Sequence, residues 1–573
     1  MCGLAGIISS NPTGSALLKM LEKQAHRGPD HTGTFMDEGF AGIGHNRLAI
    51  IYLSPEANQP FADNFGRYYL TFNGEIYNYK ELREELKPFC QFKTISDTEV
   101  LLAAYLKWGK DCLHKFNGMF AFAIWDTKEK TLFAARDRFG VKPFFYTREK
   151  DALYFSSEIK ALRHLPGRDQ PNEKVWANYF TYGSYGMPDE TFFECIFKLP
   201  GGHLLEFSNG KLVVEKWYGF EAQVKRINST HSFEKAKEIY FELLKDSISL
   251  RFRADVPVGF NISGGVDSSL LLALVNQFED KKNINAYTFF TGDDRYDELP
   301  WVEQMIASTN NPLTKLKFTA KEVAAKAKLI SGSQDEPYGG IPTLAYSKIF
   351  EQAQKDGVKV LLDGQGMDEQ WAGYDYYLPG ADSKKTIQGL GNKSPFRPDV
   401  LTTEFAGLAE KPVYPQPFDN DLQNKQYRDL FYTKIPRALR FNDRISMAYS
   451  TELREPFLDY RLVEFAFAQP PEFKIHEGEQ KYMLREILKP LVPKDISHAP
   501  KRALQTPQRE WLGNELSGFT GEHLNKLKHS PAASWFDFDE MEKEWRAYKA
   551  GDIESSFHIW QWVNASLLFE DKN

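Results

Sequence analysis

Near the middle of the chain stands Ile262-Ser263-Gly264-Gly265-Val266-Asp267-Ser268-Ser269, the stretch that decides the fold. An apolar run from Val256 leads into it, and helix-forming residues follow from Leu270 to Val275. This order is typical of a strand, a glycine turn and the start of a helix. Glycines let the backbone turn sharply and leave no Cβ in the way of a ligand. Because the N–H groups at a helix N-terminus attract anions, the stretch predicts a phosphate site.

The polar side chains of this stretch add to the predicted site. Three serines offer hydroxyl donors, and Asp267 offers a carboxylate that can hold Mg²⁺. A serine-capped turn would also explain part of the pattern. The stretch resembles the pyrophosphate loop of the N-type ATP pyrophosphatases, SGGxDSS, and lacks the lysine of a Walker A loop. The resemblance implies cleavage of ATP between its α and β phosphates, with pyrophosphate bound by Ser263, Gly264, Gly265, Asp267, Ser268 and Ser269.

Length and composition indicate a protein with two large domains. At about 150 residues per domain, 573 residues suggest several units, and 42% apolar residues suffice for sizeable cores. The net charge of −7 argues against nucleic acid or an anionic membrane as partner. The N-terminus lacks the features of a signal peptide, and the apolar runs are too short to span a bilayer. We therefore expect a cytoplasmic protein, and its reducing compartment argues against disulfides. Its four cysteines also lack CxxC or metal-site spacing.

Cys2 is the second landmark of the sequence. Aminopeptidase removal of Met1 would leave a cysteine that carries both a thiol and a free α-amine. An α-amine has a pKa near 8, so it can serve as the base for its own side chain. Position alone would leave an accidental cysteine as the simpler explanation.

Four further segments favour a catalytic Cys2 over an accidental one. They are HRGPD at 26–30, RLAI at 47–50, NGEIYN at 73–78 and SDTE at 96–99. Taken singly, each has a structural explanation, such as a hairpin turn at Asn73-Gly74 or a helix cap at Ser96. Together with Cys2-Gly3 they resemble the class II glutamine amidotransferases, the N-terminal-nucleophile glutaminases, over about the first 200 residues. The resemblance implies an α+β fold, an αββα sandwich in which helices cover two packed antiparallel sheets.

The same resemblance implies a role for each site residue. Cys2 attacks the side-chain amide of glutamine, and the Asn73 side chain with the Gly74 N–H forms the oxyanion hole. Arg47 pairs with the α-carboxylate of glutamine. The remaining expected glutamine-binding residues are Ile50, Glu75 and Asp97.

The rest of the chain reads as an α/β domain. A polar stretch, 221–231, marks the expected linker, so we predict domains at 1–220 and 221–573. Apolar segments 285–290 and 359–362 alternate with helical patterns, which indicates a parallel sheet. Ligands bind beyond the carboxyl ends of such strands. The loops that follow Ile262 and Leu362 are both expected at that edge.

The second of these loops is Asp363-Gly364-Gln365-Gly366-Met367-Asp368-Glu369. Its glycines and acids indicate a phosphate or metal site, although a plain acidic turn would explain it when read alone. Mg²⁺ bound to pyrophosphate needs acidic ligands, and Asp267 and Asp368 are the expected pair. Asp363 and Gly364 complete the predicted ATP-binding set.

Over its whole length the chain resembles the glutamine-hydrolysing asparagine synthetase family. The motifs are the glutaminase segments, SGGVDSS, the second loop, RISMA at 444–448 and REPFLD at 454–459. The resemblance implies that ATP and Mg²⁺ activate aspartate as β-aspartyl-AMP, and that ammonia from glutamine, carried by an internal tunnel, displaces AMP. A homodimer is an open possibility, and neither nucleic acid nor a membrane is expected as partner.

Two departures from the family pattern bear on the acceptor. The family loop usually reads SGEGxDE, but Gln365 replaces its glutamate. The family often has RKKxGFxxP near the C-terminus, where only Lys501 matches the expected catalytic lysine, and a solvated surface lysine is the alternative. The family resemblance favours aspartate as the acceptor, and Gln365 motivates the alternative, another carboxylate such as a sugar uronate.

A non-catalytic protein on this scaffold is a third hypothesis. It would predict losses among four residues that are all present: Cys2, Asn73, Asp267 and Asp368. The polar segment 382–399 is expected to be a mobile loop.

Overall fold

The computed structural model describes residues 2–227, 229–277, 284–378, 395–498, 505–551 and 555–570. Lys501 and most of the segment 382–399 lie outside these ranges. None of the described helices is long and apolar enough to cross a membrane. All four cysteines are described, and each is a free thiol.

The N-terminal part of the chain forms two six-stranded antiparallel sheets. Its strands are β1 (Gly3–Ile8), β2 (His31–Asp37), β3 (Ala41–Arg47), β4 (Phe61–Ala62), β5 (Tyr68–Ile76), β6 (Gly118–Asp126), β7 (Thr131–Arg136), β8 (Phe145–Glu149), β9 (Ala152–Ser156), β10 (Phe197–Lys198), β11 (His203–Ser208) and β12 (Lys211–Lys216). The strand orders are β10-β8-β9-β1-β3-β2 and β12-β11-β7-β6-β5-β4. The associated helices are α1 (Gly14–Lys23), α2 (Tyr79–Leu86), α3 (Asp97–Trp108), α4 (Cys112–Lys115), α5 (Lys160–Arg163) and α6 (Glu173–Tyr182).

The two sheets pack face to face with helices outside. Their inner faces share one apolar core that includes Leu4 and Ile43 from one sheet and Trp125 and Leu205 from the other. Helix α1 packs on β1 and β3, and helix α3 packs on β5. The layers are therefore αββα, which confirms the predicted sandwich.

The C-terminal part is built on a five-stranded parallel sheet of order β15-β14-β13-β16-β17. The strands are β13 (Val258–Asn261), β14 (Ala286–Phe290), β15 (Leu313–Lys317), β16 (Val360–Leu362) and β17 (Glu452–Arg454), with a small hairpin of β18 (Ile475–His476) and β19 (Glu479–Gln480). Because β13 and β16 are neighbours, the loops that follow them emerge side by side. The predicted parallel sheet is confirmed.

Eighteen described helices surround or extend this sheet. They are α7 (Phe220–Arg226), α8 (Phe233–Arg251), α9 (Val266–Val275), α10 (Leu299–Thr309), α11 (Ala320–Gln334), α12 (Ile341–Lys355), α13 (Met367–Gln370), α14 (Thr403–Ala406), α15 (Asp421–Phe431), α16 (Lys434–Met447), α17 (Tyr460–Ala468), α18 (Pro471–Lys474), α19 (Tyr482–Leu488), α20 (Lys494–Ser497), α21 (Gln508–Gly513), α22 (Ser517–Leu527), α23 (Phe538–Ala550) and α24 (Phe557–Glu570).

Helix α7 covers the first part of the stretch, 221–231, that composition marks as a linker. Phe220 and Val224 on this helix are buried, and the Phe220 ring lies 4.9 Å from that of Phe467 between centroids. The polar residues of α7 are therefore its exposed side, and the helix joins the two parts of the chain through an apolar contact.

Candidate active site

Cys2 directly precedes β1 and is buried, with 8% of its surface exposed. Its backbone N–H donates to Asn73 Oδ1 at 3.1 Å, and its thiol lies 3.9 Å from the Leu48 carbonyl oxygen. Arg27 Nε donates to the Cys2 carbonyl at 3.0 Å. Burial raises the pKa of the Cys2 thiol. The sulfur is therefore held in place as a neutral thiol, which needs a base before it can attack a carbonyl carbon.

The expected oxyanion residues lie within β5. Asn73 is fully buried, and its Nδ2 has no hydrogen-bond partner among the described residues. Gly74 has a φ of +149°, and a Cβ there would stand 2.1 Å from the Met119 carbonyl oxygen. Since β5 continues through both residues, the hairpin explanation of Asn73-Gly74 is wrong. A buried amide donor beside the Cys2 nitrogen is suited to a negatively charged oxygen.

Arg47 and Ile50 lie on the segment that leaves β3. The Arg47 guanidinium donates to the carbonyls of Ser54 and Tyr52 and to Asn58 Oδ1, at 2.6–2.8 Å. Ile50 is buried, and its carbonyl accepts from the Asp255 N–H at 2.9 Å. The structure thus holds the guanidinium rigidly at the end of the strand.

Glu75 and Asp97 form an acidic pair beside this segment. Asp97 accepts from the Ile76 N–H at 3.0 Å, and burial raises the pKa of Asp97 to about 6. Glu75 Oε1 lies 3.6 Å from Arg454 Nη2, a residue of the parallel sheet. Burial, together with the nearby Glu452 carboxylate, raises the pKa of Glu75 well above its usual range. Two buried carboxyl groups of this kind suit an ammonium group, which would offset their repulsion.

The SGGVDSS loop has the predicted strand, turn and helix. Gly265 is the N-cap residue of α9, and Gly264 has a φ of +74°. A Cβ on Gly264 would stand 2.7 Å from Trp301 Cβ and 2.9 Å from the Val302 nitrogen, so no other residue fits. The Ser263 N–H donates to Ser268 Oγ at 3.3 Å, and buried Ser269 Oγ has no partner among the described residues. The loop is thus a pre-formed turn at a helix N-terminus, and the Ser269 hydroxyl there has no hydrogen-bond partner among the described residues.

Lys481 joins this loop to the second one. Its Nζ lies 2.7 and 2.8 Å from the two oxygens of Asp267, and 2.6 Å from Asp368 Oδ1. Gly373 makes room for this ion pair, because a Cβ there would stand 2.0 Å from Asp368 Oδ1 and 2.3 Å from Lys481 Cε. The two carboxylates predicted to hold a metal ion therefore converge on one cation.

Asp363 and Gly364 lie directly beside the pyrophosphate loop. A Cβ on Gly364 would stand 3.2 Å from the backbone of Asp267 and Ser268. Asp363 accepts from the Tyr346 hydroxyl at 2.7 Å, and its N–H donates to the Arg454 carbonyl at 3.0 Å. The next residue, Gln365, is half-buried. The structure thus brings the whole predicted ATP-binding set to one edge of the sheet.

These residues fit ATP and Mg²⁺. Open space lies beside Gly265, the N-cap residue of α9, where a Cβ would meet only Ser263 Oγ, at 3.6 Å, among the described atoms within 4 Å. Asp267 and Asp368 already share one positive charge. The described residues contain no cluster of three or more His, Cys, Asp or Glu side chains suited to a metal ion. Mg²⁺ in nucleotide sites is commonly held by one or two carboxylates together with phosphate oxygens, so two suffice.

Family models match both parts of the chain. A model described as glutamine amidotransferase domain matches residues 1–218, and one described as asparagine synthase matches residues 240–570. The second model alone covers more than half of the chain. The chain belongs to the asparagine synthase family.

Relatives of this family align with nearly the whole chain. Asparagine synthetase (glutamine-hydrolyzing) 1 of Bacillus subtilis is 28% identical over 98% of this chain and 95% of its own length. Asparagine synthetase (glutamine-hydrolyzing) 3 of the same organism is 31% identical over 87% and 86%. Amidase chyE of Penicillium rubens is 28% identical over 90% of both chains. The resemblance predicted from the motifs is confirmed.

Sequence reasoning missed Lys481 and chose Lys501 as the cation of the synthetase site. Lys501 lies outside the described residues, so its role stays a prediction. Lys481 stands alone before a short helix, and 214 residues separate it from Asp267. No spacing rule connects positions so far apart. The one local signal is Lys481 followed by a helix whose first residues are Tyr482 and Met483, and that pattern is too common to be informative.

Proposed function

We propose that the chain is a glutamine-hydrolysing asparagine synthetase, a ligase that makes asparagine, glutamate, AMP and pyrophosphate from aspartate, glutamine and ATP. One observation carries the proposal: β17 lies between the two sites. At its start Glu452 is close enough to Cys2 to raise the pKa of the thiol, and Arg454 contacts Glu75. At its end the Arg454 carbonyl accepts from Asp363. A glutaminase site and an ATP site are thus joined by a few buried residues.

The glutaminase half would work through Cys2. Removal of Met1 would turn the Cys2 nitrogen, held by Asn73 Oδ1, into an α-amine able to take the thiol proton. The sulfur attacks the side-chain carbonyl of glutamine, and the Asn73 amide with the Gly74 N–H stabilises the resulting oxyanion. Ammonia leaves, and water releases glutamate from the thioester. Arg47, Glu75 and Asp97 would bind the carboxylate and ammonium groups of glutamine.

The synthetase half would work at the edge of the parallel sheet. Asp267 and Asp368 would hold Mg²⁺, which supplies charge neutralisation for pyrophosphate. The helix α9 N-terminus and the hydroxyls of Ser263, Ser268 and Ser269 would bind phosphate oxygens. Lys481 supplies a fixed positive charge where negative charge grows as the α–β phosphate bond breaks. Aspartate becomes β-aspartyl-AMP, and ammonia then displaces AMP.

The domain boundary, the metal ion, the location and the oligomeric state are further parts of the proposal. We place the domain boundary near residue 220, because β12 ends at Lys216 and the glutamine amidotransferase model ends at 218. We also propose Mg²⁺ as the metal ion, a cytoplasmic location and a homodimer. Gel filtration with light scattering would measure the oligomeric state directly.

The test is an incubation of the purified protein with glutamine, Mg·ATP and aspartate. We expect asparagine and pyrophosphate in equal amounts, and glutamate in at least that amount. A parallel assay replaces glutamine with ammonium chloride and should also yield asparagine. Glutamate without pyrophosphate or asparagine would overturn aspartate as the acceptor, and sugar uronates would then be tried. No glutamate at all would overturn the glutaminase itself.

A further inference from the structure

Glu455 is a buried carboxylate for which the reaction described above has no use. It directly follows β17, and only 4% of its surface is exposed. Its Oε2 has no hydrogen-bond partner among the described residues. The backbone N–H of Gln365 donates to its carboxylate. A buried carboxylate with an unused oxygen is costly, so its retention needs a reason.

The position of Glu455 supplies one. The family loop usually carries a glutamate where this chain has Gln365, and a neutral amide cannot accept a proton at neutral pH. Glu455 meets the same loop from the neighbouring strand, since it contacts the backbone of Gln365 itself. A carboxylate is therefore present at the loop, but a different part of the chain supplies it.

Three charged groups from different parts of the chain also affect the protonation of Glu455. They are Asp363 on the second loop, Lys142 of the glutaminase part and Arg251 of helix α8. Lys142 donates to the Leu453 carbonyl at 3.3 Å, and burial lowers the pKa of its ammonium. Burial, followed by the Asp363 charge, raises the pKa of Glu455 well above its usual range. A carboxylate with a raised pKa is a stronger base than an exposed one.

Glu455 also lies on the side from which ammonia would arrive. The negative charge of Glu452, three residues earlier, contributes to the raised pKa of the Cys2 thiol, so Glu452 lies near the glutaminase site. A strand rises about 3.3 Å per residue, so the two glutamates are roughly 10 Å apart along the chain. Ammonia released at Cys2 that followed this buried strand would reach Glu455 as it entered the synthetase site.

We propose that Glu455 is the base of the amide-forming step, in place of the glutamate that Gln365 replaces. The inference rests on the proposed function. The nitrogen lone pair of ammonia attacks the carbonyl carbon of β-aspartyl-AMP, and a C–N bond forms. One N–H proton passes to the Glu455 carboxylate. The C–O bond to AMP then breaks, and AMP leaves with that electron pair. Glu455 returns its proton to water before the next turnover.

The experiment compares three steps in the full-length chain: glutamate release, a rapid burst of pyrophosphate, and steady formation of asparagine from either glutamine or ammonium. For Glu455→Gln we expect glutamate release and the pyrophosphate burst within about threefold of wild type. Asparagine formation should fall about 100-fold or more with both nitrogen sources, the usual contribution of a general base. A structural role would not separate the burst from the steady rate.

Two further variants decide between chemistry and folding. Gln365→Glu in the Glu455→Gln background returns a carboxylate to the loop from its other side and should recover at least a tenth of the lost rate. Glu464→Gln is the matched control, since this buried glutamate also has a raised pKa but accepts from the Tyr218 hydroxyl, away from the loop. It should leave all three steps unchanged.

The failures can be told apart. If wild type makes no asparagine, the proposed function falls and the inference falls with it. If wild type makes asparagine and Glu455→Gln does so within threefold, the inference alone is overturned. It is also overturned if the pyrophosphate burst disappears together with asparagine, or if Gln365→Glu fails to recover activity in a variant that still releases glutamate.

Discussion

At the scale of single residues, the ammonium of Lys481 is held between Asp267 and Asp368 at the pyrophosphate loop. Lys481→Ala should reduce pyrophosphate formation by at least 100-fold, because one preorganised charge at developing phosphate charge contributes a few kcal/mol. Glutamate release, at a separate site, should stay within twofold. Pyrophosphate is measured by a coupled assay and glutamate by chromatography.

The control for that variant is Lys489→Ala. Lys489 is exposed at the C-terminal end of α19 and, among the described residues, forms its ion pair with Glu486, so both activities should be unchanged. Loss of glutamate release in Lys481→Ala would instead point to misfolding. Full pyrophosphate formation would contradict the assigned role.

Cys2 gives a second prediction at this scale. Cys2→Ala removes the sulfur but leaves the hydrogen bond from the backbone N–H to Asn73 in place. We expect no glutamate release above background, while asparagine formation from ammonium chloride continues within twofold of wild type. If ammonium-dependent synthesis is lost as well, the two sites are not independent.

The buried carboxyl groups of Glu75 and Asp97 predict that glutamine binding depends on pH. Burial raises the pKa of Asp97 to about 6, so the protein holds this group as a neutral acid below that pH. The α-ammonium group of glutamine binds the charged carboxylate of Asp97 and not the neutral acid. KM for glutamine should therefore rise as pH falls through 6, with a smaller change in kcat. Initial rates of glutamate release between pH 5 and 8 test this. A KM that is flat with pH would contradict the role of Asp97 in binding the glutamine amine.

At the scale of an element, the turn after α13 brings Asp368 and Lys481 together only because residue 373 has no side chain. Gly373→Ala would place a Cβ 2.0 Å from Asp368 Oδ1, far inside contact distance. We expect pyrophosphate formation to fall at least tenfold while glutamate release is kept. Gly521→Ala in α22 meets no atom within 4 Å and should change neither activity. Equal behaviour of the two variants would mean that the turn tolerates displacement.

At the scale of the whole molecule, the two parts of the chain are held together by a buried ion-pair cluster. Arg27 donates to both oxygens of Asp443, at 2.9 and 3.1 Å, and to Glu158 at 2.9 Å. Arg27→Ala would leave two buried carboxylates without this partner, at a cost of about 3–5 kcal/mol. The midpoint of urea unfolding should fall, and asparagine made per glutamate released should fall with it.

The pH dependence of this contribution has a definite sign. Arg27 lowers the pKa of Asp443 in the folded protein. The stabilisation is therefore present above the ordinary aspartate pKa, near 4, and is lost as pH falls below it. Glu81→Ala is the control, because its ion pair with Arg253 also joins the two parts of the chain but is largely exposed. It should cost no more than about 1 kcal/mol. Equal losses for the two variants would contradict the importance of burial.

The sequence by itself determined the family, the two sites and their order along the chain. Cys2, the NGEIYN segment and SGGVDSS are recognisable because their chemistry depends on neighbours within a few positions. A turn such as Gly264-Gly265 needs its glycines locally, and the Ser96 cap of α3 accepts from the Glu99 N–H only three residues on. Neighbouring residues alone determine turns and helix caps of this kind, so they can be predicted from the sequence.

Only the tertiary structure decided which residues complete those sites. Lys481 reaches Asp267, Arg454 reaches Glu75, and Glu455 reaches the backbone of Gln365, through contacts between distant parts of the chain. A lysine or glutamate before or after a short element carries no local sign of its partner. Its charge acquires a role only when folding buries it beside another charge, because burial removes the water that would otherwise screen the two.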